Sequence, residues 1–369
     1  MKRFFALKYL QGLVLPVLAY LSFTNTGWIT YLPLIQSFVL IPLLELCYKP
    51  DRSNLSETEE ALRKEDPIYD WQLYIMVPIQ FALLLIFCHS MQDTGLTTLD
   101  RIGRITGMGM LCGVIGINVA HELGHRSTWY EQLMAKMLLL TSLYMHFYIE
   151  HNRGHHKNVS THEDPSSARY GEPLYAFWIR SIVFAYLSAW KIENSRLSKK
   201  KKSKFSIQNE MLVFQLVQLI FTAGIGVIWG PVVMLYFIAA AVMGFLLLET
   251  VNYIEHYGLQ REKKGTRYER VMPHHSWNSD HVVGRLVLFE LSRHSDHHFI
   301  ASRKYQILRH MEHGAQMPTG YPGMMLLSMI PPVWFRIMNP KIHRIMAEKT
   351  SKVEKPATLR KAEVPALVE

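Results

Sequence analysis

Long apolar runs alternate with very polar stretches along this chain, and the runs set its architecture. A bilayer core needs about 20 mostly apolar residues per helix. Six runs meet that need, at 9–23, 28–48, 71–89, 103–120, 211–229 and 231–251. Tryptophan or tyrosine stands at several of their ends, as interfacial anchors do. The first run is the shortest, and Lys2 and Arg3 before it would also suit a signal peptide. No small-residue cleavage site follows, so it reads as a retained helix. The pattern predicts an all-α integral membrane protein, with one membrane-embedded domain over 1–345 and polar catalytic parts at 121–205 and 252–345. The tail 346–369 is polar, weakly patterned and expected to be disordered.

Three further apolar runs fit a bilayer poorly. Run 132–149 is flanked or interrupted by Glu131, Lys136 and His146. As a full span it would put the histidines before and after it on opposite sides of the membrane. It is therefore expected to be buried, interfacial or re-entrant on the cytoplasmic side. Run 174–190 contains Arg180 and should lie in the interface. Run 324–338 is broken by Pro331 and Pro332.

Charge orients the predicted bundle. With the N-terminus inside, the outer connections "TNTG", "SMQDTGLTTLDR" and the turn near Gly230 hold a single arginine, Arg101. Lys49, Arg52, Arg63, Lys64, the "RLSKKKKSK" run and the whole C-terminal third fall inside, which predicts both termini in the cytoplasm. The formal charge of +10 fits an anionic lipid surface, worth about 1 kcal/mol per basic residue. It fits an acidic protein partner too. Nucleic acid is excluded as the partner by the membrane runs. Cys47, Cys88 and Cys112 form no CxxC pair, so neither a disulfide framework nor a thiolate metal site is expected.

The eighteen histidines cluster. "HELGH" puts His121 and His125 four apart on one helix face, directly after the fourth span. "EHNRGHH" puts His151 and His155 four apart with His156 adjacent. Neighbours on a helix point about 100° apart, so His155 and His156 can serve two different metals, or the helix ends at Gly154. "NYIEHYG" puts His256 just past the sixth span, and "RHSDHH" supplies His294, His297 and His298. Neutral imidazole is a good ligand for first-row transition metals. Nine such ligands exceed what one ion can use, so two metals with four or five nitrogens each fit the count. Glu122, Glu150, Glu163, Asp164, Glu255 and Asp296 lie close by in sequence. Of these, Glu122, Asp164, Glu255 and Asp296 are the candidates for orienting the rings from behind, with Glu255 and Asp296 inside ligand motifs. His89, His146, His162, His274, His275, His281, His310, His313 and His343 read as structural or outer groups. HELGH also matches the HExxH of zinc proteases, but such a site would leave seven clustered histidines without a role. A metal transporter would carry polar residues deep inside its spans, and these spans are nearly free of them.

The four motifs resemble those of the membrane-bound alkane 1-monooxygenases, of the membrane fatty-acid desaturase and hydroxylase superfamily. "NYIEHYGLQR" narrows the resemblance to alkane hydroxylases. "YERVMPHHSWNSDHVVGRLVLFELSRHSDHH", "YQILRH", "MPTGYPGM" and "EDPSSARYGE" extend it over about 70–338. Ser292 stands where the family usually has glutamine, and Arg126 where lysine is common. The resemblance implies a non-haem centre of two Fe ions held by His121, His125, His151, His155, His156, His256, His294, His297 and His298. It implies that O2 hydroxylates the terminal methyl of an n-alkane drawn from the lipid, in a bacterial inner membrane. Electrons would come from rubredoxin and an NAD(P)H-dependent rubredoxin reductase. The three cysteines fall short of the four a rubredoxin iron takes, so a separate rubredoxin is expected. An unactivated methyl group offers no acid, electrophile or handle, and only redox-active metal chemistry attacks it. An apolar channel is expected, lined from spans two to four and six. A xylene-monooxygenase-type hydroxylase and a fatty acyl desaturase or hydroxylase are the alternatives nearest in kind.

Overall fold

In the computed structural model, residues 2–354 are described. Six helices are long and apolar enough to cross a membrane. They are α1 (Phe5–Thr24), α2 (Gly27–Cys47), α3 (Ile68–Ser90), α4 (Thr98–Gly124), and, after three other helices, α8 (Glu210–Trp229) and α9 (Pro231–His256). The chain is a multi-pass membrane protein. Each helix extends beyond its apolar run, because hydropathy marks the lipid-facing stretch while capping and packing set the ends.

One end of the bundle is pinned by polar groups. Thr97 and Asp100 form a capping box that starts α4. Asp100 also accepts the Gly27 N–H at 2.6 Å, and Arg104 donates to the carbonyls of Asn25 and Ser90. The α1–α2 and α3–α4 connections at this end are thus tied to α4. In mid-bundle α4 and α9 touch through small residues. A Cβ on Gly244 would stand 2.4 Å from Cys112 Cβ, and one on Gly109 2.6 Å from Met243 Sδ. Lipid tails supply no hydrophobic drive between helices, so close backbone approach must supply the contact.

Run 132–149 does not span. It forms α5 (Trp129–Thr141) and the start of α6 (147–158), joined by a buried turn. The turn is deep: Ser142 Oγ donates to the Cys112 carbonyl at 2.9 Å, and Gln80 Nε2 to Thr141 Oγ1 at 3.0 Å. Cys112 lies twelve residues before Gly124, about 18 Å along the helix. Irregular backbone at such depth is tolerated only where protein buries it. Here Gln218 accepts the Met145 N–H, and Tyr144 donates to Glu249 at 2.8 Å. The segment is re-entrant and returns the chain to the end it left, so the second histidine motif meets the first.

Run 174–190 belongs to α7 (Leu174–Lys199), which is not among the candidate spans. Arg180 does not interrupt it, because its guanidinium folds back onto Glu172 and the carbonyls of Pro165 and Ser167. After α9 the chain forms short elements around α10 (His294–Phe299), with Trp277–Asn278 paired in parallel to Ala315–Gln316. The two prolines end run 324–338 as expected: α11 (Tyr321–Ser328) stops before them and α12 starts at Pro331. The tail expectation needs one correction. α12 continues to Glu354, carrying a helix across its first residues. The rest of the tail lies outside the described residues.

Candidate metal centre

Four elements converge at one end of the bundle: the last turn of α4, α6, the last turn of α9, and α10. Their histidines form two groups. His121, His125, His151, His156 and His297 make one, and His155, His256, His294 and His298 make the other. In the first, every close contact is Nε2 to Nε2, from 3.0 Å for His121–His297 to 3.1 Å for His125–His151, His125–His156, His151–His156 and His156–His297. In the second, His155–His298 is 3.3 Å and His256–His294 3.2 Å.

Local helix geometry does the sorting. His121 and His125 are four apart in α-helical geometry and share a group, as do His294 and His298. His297 turns away from them to the other group. Residues 151–155 are a π-helical turn, in which residues five apart align. That pairs His151 with His156 and directs His155 to the second group.

The donor set fits transition-metal ions. His156 Nε2 has three ring nitrogens at 3.1 Å, and one proton cannot satisfy three neighbours. Adjacent ligands on a metal with bonds of about 2.1 Å stand about 3 Å apart. Burial pushes His125 down to about 3 and holds His151, His156, His294, His297 and His298 well below the usual imidazole range, and the neighbouring rings push the same way. Such rings are neutral near pH 7 and keep a lone pair free.

Of the four carboxylates considered, Asp164 lies behind a ring: its Oδ2 is 2.9 Å from His155 Nδ1. Burial would raise this carboxyl, but the His155 ring and the Ser167 hydroxyl hold it below its ordinary value. Glu255 touches His294, yet at Nε2, at 3.2 Å, and accepts from Tyr321 Oη at 2.7 Å. Glu122 and Asp296 depart from expectation, since neither orients a histidine. Glu122 binds Arg126 at 2.6 Å and the Tyr305 N–H. Asp296 binds Arg309 through both oxygens and lies 3.4 Å from Arg303. Full guanidinium charges outcompete neutral rings for a buried carboxylate. Held in this way, Glu122 cannot serve as the free base of a zinc protease. Tyr321, in "MPTGYPGM", joins the site through this bond although no histidine motif contains it.

The outer histidines stay outside both groups. His146 packs between Tyr144 and Tyr186, and His310 bonds Asp280. Glu269, His274 and His275 gather elsewhere, but His275 Nδ1 accepts the Met272 N–H. Its Nε2 therefore carries the proton, toward Glu269 at 3.1 Å.

An apolar cavity runs from between the spans to His121, His151 and His294. Its walls come from α2 (Phe38, Ile41), α4 (Met110, Val114, Ile117) and α9 (Leu247, Leu248, Val251). The third span, α3, contributes no wall residue, because the re-entrant turn stands between it and the site.

Residues 103–328 match the model of the family described as fatty acid desaturase. Alkane 1-monooxygenase 2 of Alcanivorax borkumensis is 40% identical over 308 residues, 83% of this chain and 80% of its own. The alkane 1-monooxygenase of Ectopseudomonas oleovorans is 39% identical over 322 residues, 86% and 80% of the two chains. The xylene/toluene monooxygenase hydroxylase component of Pseudomonas putida is 27% identical over 287 residues, 76% of each.

Proposed function

Because the chain belongs to the alkane 1-monooxygenases, membrane oxidoreductases of the fatty acid desaturase family, we propose that it converts the terminal methyl group of n-alkanes to a primary alcohol. The observation that carries this reading is the inner end of an apolar cavity, where ring nitrogens of both histidine groups meet. Balance requires one O2, two electrons and two protons per alkane, giving one alcohol and one water.

The nine histidines would hold two irons, which supply the one-electron and O2 chemistry that an unactivated C–H bond demands. The protein's own residues do the rest. Asp164 fixes His155 with its proton on Nδ1 and its Nε2 lone pair turned inward. The apolar walls bind the hydrocarbon by burial and exclude water. Their convergence on His121 and His294 presents a linear substrate end-on, which favours its terminal carbon. Glu122, paired with Arg126, and Asp296, paired with Arg309, act as braces for the helix ends that carry the ligands.

The electron donor in this reading is a separate rubredoxin reduced by its NAD(P)H-dependent reductase. The membrane is the bacterial inner membrane, with both termini and the histidine end in the cytoplasm. The charge asymmetry of the connections supports that orientation. Membranes carrying the protein, supplied with rubredoxin, reductase and NADH, should turn octane or hexadecane into the 1-alkanol. Alkene without alcohol from a fatty acyl substrate, or benzyl alcohol from toluene with no alkanol, would refute the proposal.

A further inference from the structure

The walls of the cavity are apolar, but two amides stand on them near its inner end. Asn118 lies three residues before His121 on α4, and Asn252 four before His256 on α9. Each therefore shares a helix face with a histidine of the site and stands about one turn, roughly 5 Å, outward from it. Both are enclosed, at 8% and 5% exposure. Asn118 Nδ2 donates to the Leu288 carbonyl at 3.0 Å. Asn252 Nδ2 donates to Glu249 Oε2 at 3.3 Å, and Tyr144 and Ser181 also donate to that carboxylate. These acceptors need an N–H, so the bonds fix which way each amide lies. Each carbonyl oxygen Oδ1 is left without a hydrogen-bond partner among the described residues, on a side chain that lines the cavity.

An n-alkane cannot satisfy such an oxygen, because it has no donor. The alcohol made from it has one, on the carbon that has just reacted at the inner end. An enclosed acceptor that gains its missing partner favours the molecule that brings it. We propose that Asn118 and Asn252 form a polar collar that accepts a hydrogen bond from the hydroxyl of the 1-alkanol, so that the cavity holds product more tightly than substrate. This rests on the hydroxylase reading above. One hydroxyl donates one hydrogen bond, so the two oxygens are alternative acceptors and either suffices. The apolar walls take the alkyl chain of both molecules alike. The collar is the part that tells alcohol from alkane.

Competition against radiolabelled dodecane tests this without turnover, on full-length iron-loaded protein in lipid nanodiscs, with competitor concentrations taken in the lipid phase. 1-Octanol should displace the label at about tenfold lower concentration than octane, which is the worth of one hydrogen bond. 1-Methoxyoctane carries the oxygen but no donor, and should compete like the alkane. Leucine is close to asparagine in size, so Asn118→Leu combined with Asn252→Leu removes both acceptors at little change in volume. The pair should abolish the alcohol's advantage over octane, with iron content unchanged because all nine rings remain. Either substitution alone should keep most of it. An alcohol no stronger than octane, an ether as strong as the alcohol, or a double variant that keeps the full advantage overturns the proposal. If the double variant does not accumulate, alcohol against ether on wild type decides. Failure of dodecane itself to bind wild type would instead count against the alkane reading.

Discussion

At the residue scale the proposed ligands are nine histidines that the fold draws into two groups, seven of them buried. His256 stands in the four-histidine group at the end of α9. Its replacement by alanine should lower bound iron from about two per chain to about one, by elemental analysis of purified protein. His146 makes a cleaner case for burial alone, since it lies outside both groups. It is fully enclosed, and burial pushes it down to about 3. Its folded value is below the unfolded one, so the unfolded chain binds the extra proton. The stability it supports is therefore present above pH 6.5 and is lost as pH falls from 6.5 toward 3. Each pH unit in that window costs about 1.4 kcal/mol for one such group. His146→Asn should flatten the fall in denaturation midpoint below pH 6.5 relative to wild type. Which residue types matter was legible at this scale, since clustered imidazoles in a membrane chain have few other uses. Which carboxylate serves which partner was not: Glu122 and Asp296 were drawn off by Arg126 and Arg309, which sequence neighbourhood does not reveal.

At the element scale the informative features are departures from the regular α-helix. The π turn at 151–155 sends His156 to one group and His155 to the other. Removing Asn152 would put His156 four residues after His151, the α-helical spacing that keeps two side chains on one face. It would also draw the ring back along the axis by one residue, about 1.5 Å, out of register with His125 and His297. That variant should lose iron from the five-histidine group while far-UV circular dichroism stays near wild type. The α4–α9 crossing is the second such feature. Gly244→Leu would drive a side chain into Cys112, where a Cβ alone already stands 2.4 Å away. It should cost at least about 1–3 kcal/mol, read as a lower melting temperature in detergent. Because α9 also carries Glu255 and His256, iron occupancy should fall with it. Hydropathy located all six spans, since a helix facing lipid must be apolar. It could not set their crossings, which depend on where glycine permits contact.

At the scale of the whole molecule, buried arginines tie the connection after α2 to the histidine end. Arg293 donates to the carbonyls of Leu308, Asp51 and Ser53. Arg293→Met should leave the Leu308 and Ser53 carbonyls unsatisfied, at about 1–3 kcal/mol for each that stays buried, while the Asp51 carbonyl keeps Arg285 Nη1 at 2.8 Å. The loss should appear as reduced thermal stability with both irons retained, because no ligand is touched.

The sequence by itself determined the solvent and the chemistry. Runs of apolar residues long enough for a bilayer have to enter one, and nine imidazoles in four motifs supply the donor set on which the proposed metal centre rests. Both conclusions follow from local composition, which folding cannot alter. Only the tertiary structure decided how the ligands divide five to four, that run 132–149 dips into the bundle and returns, and that Glu255 faces the front of a ring while Asp164 faces the back. These depend on distances between residues up to 176 positions apart, as for His121 and His297. Such distances are set by packing and helix register, and no local pattern encodes them.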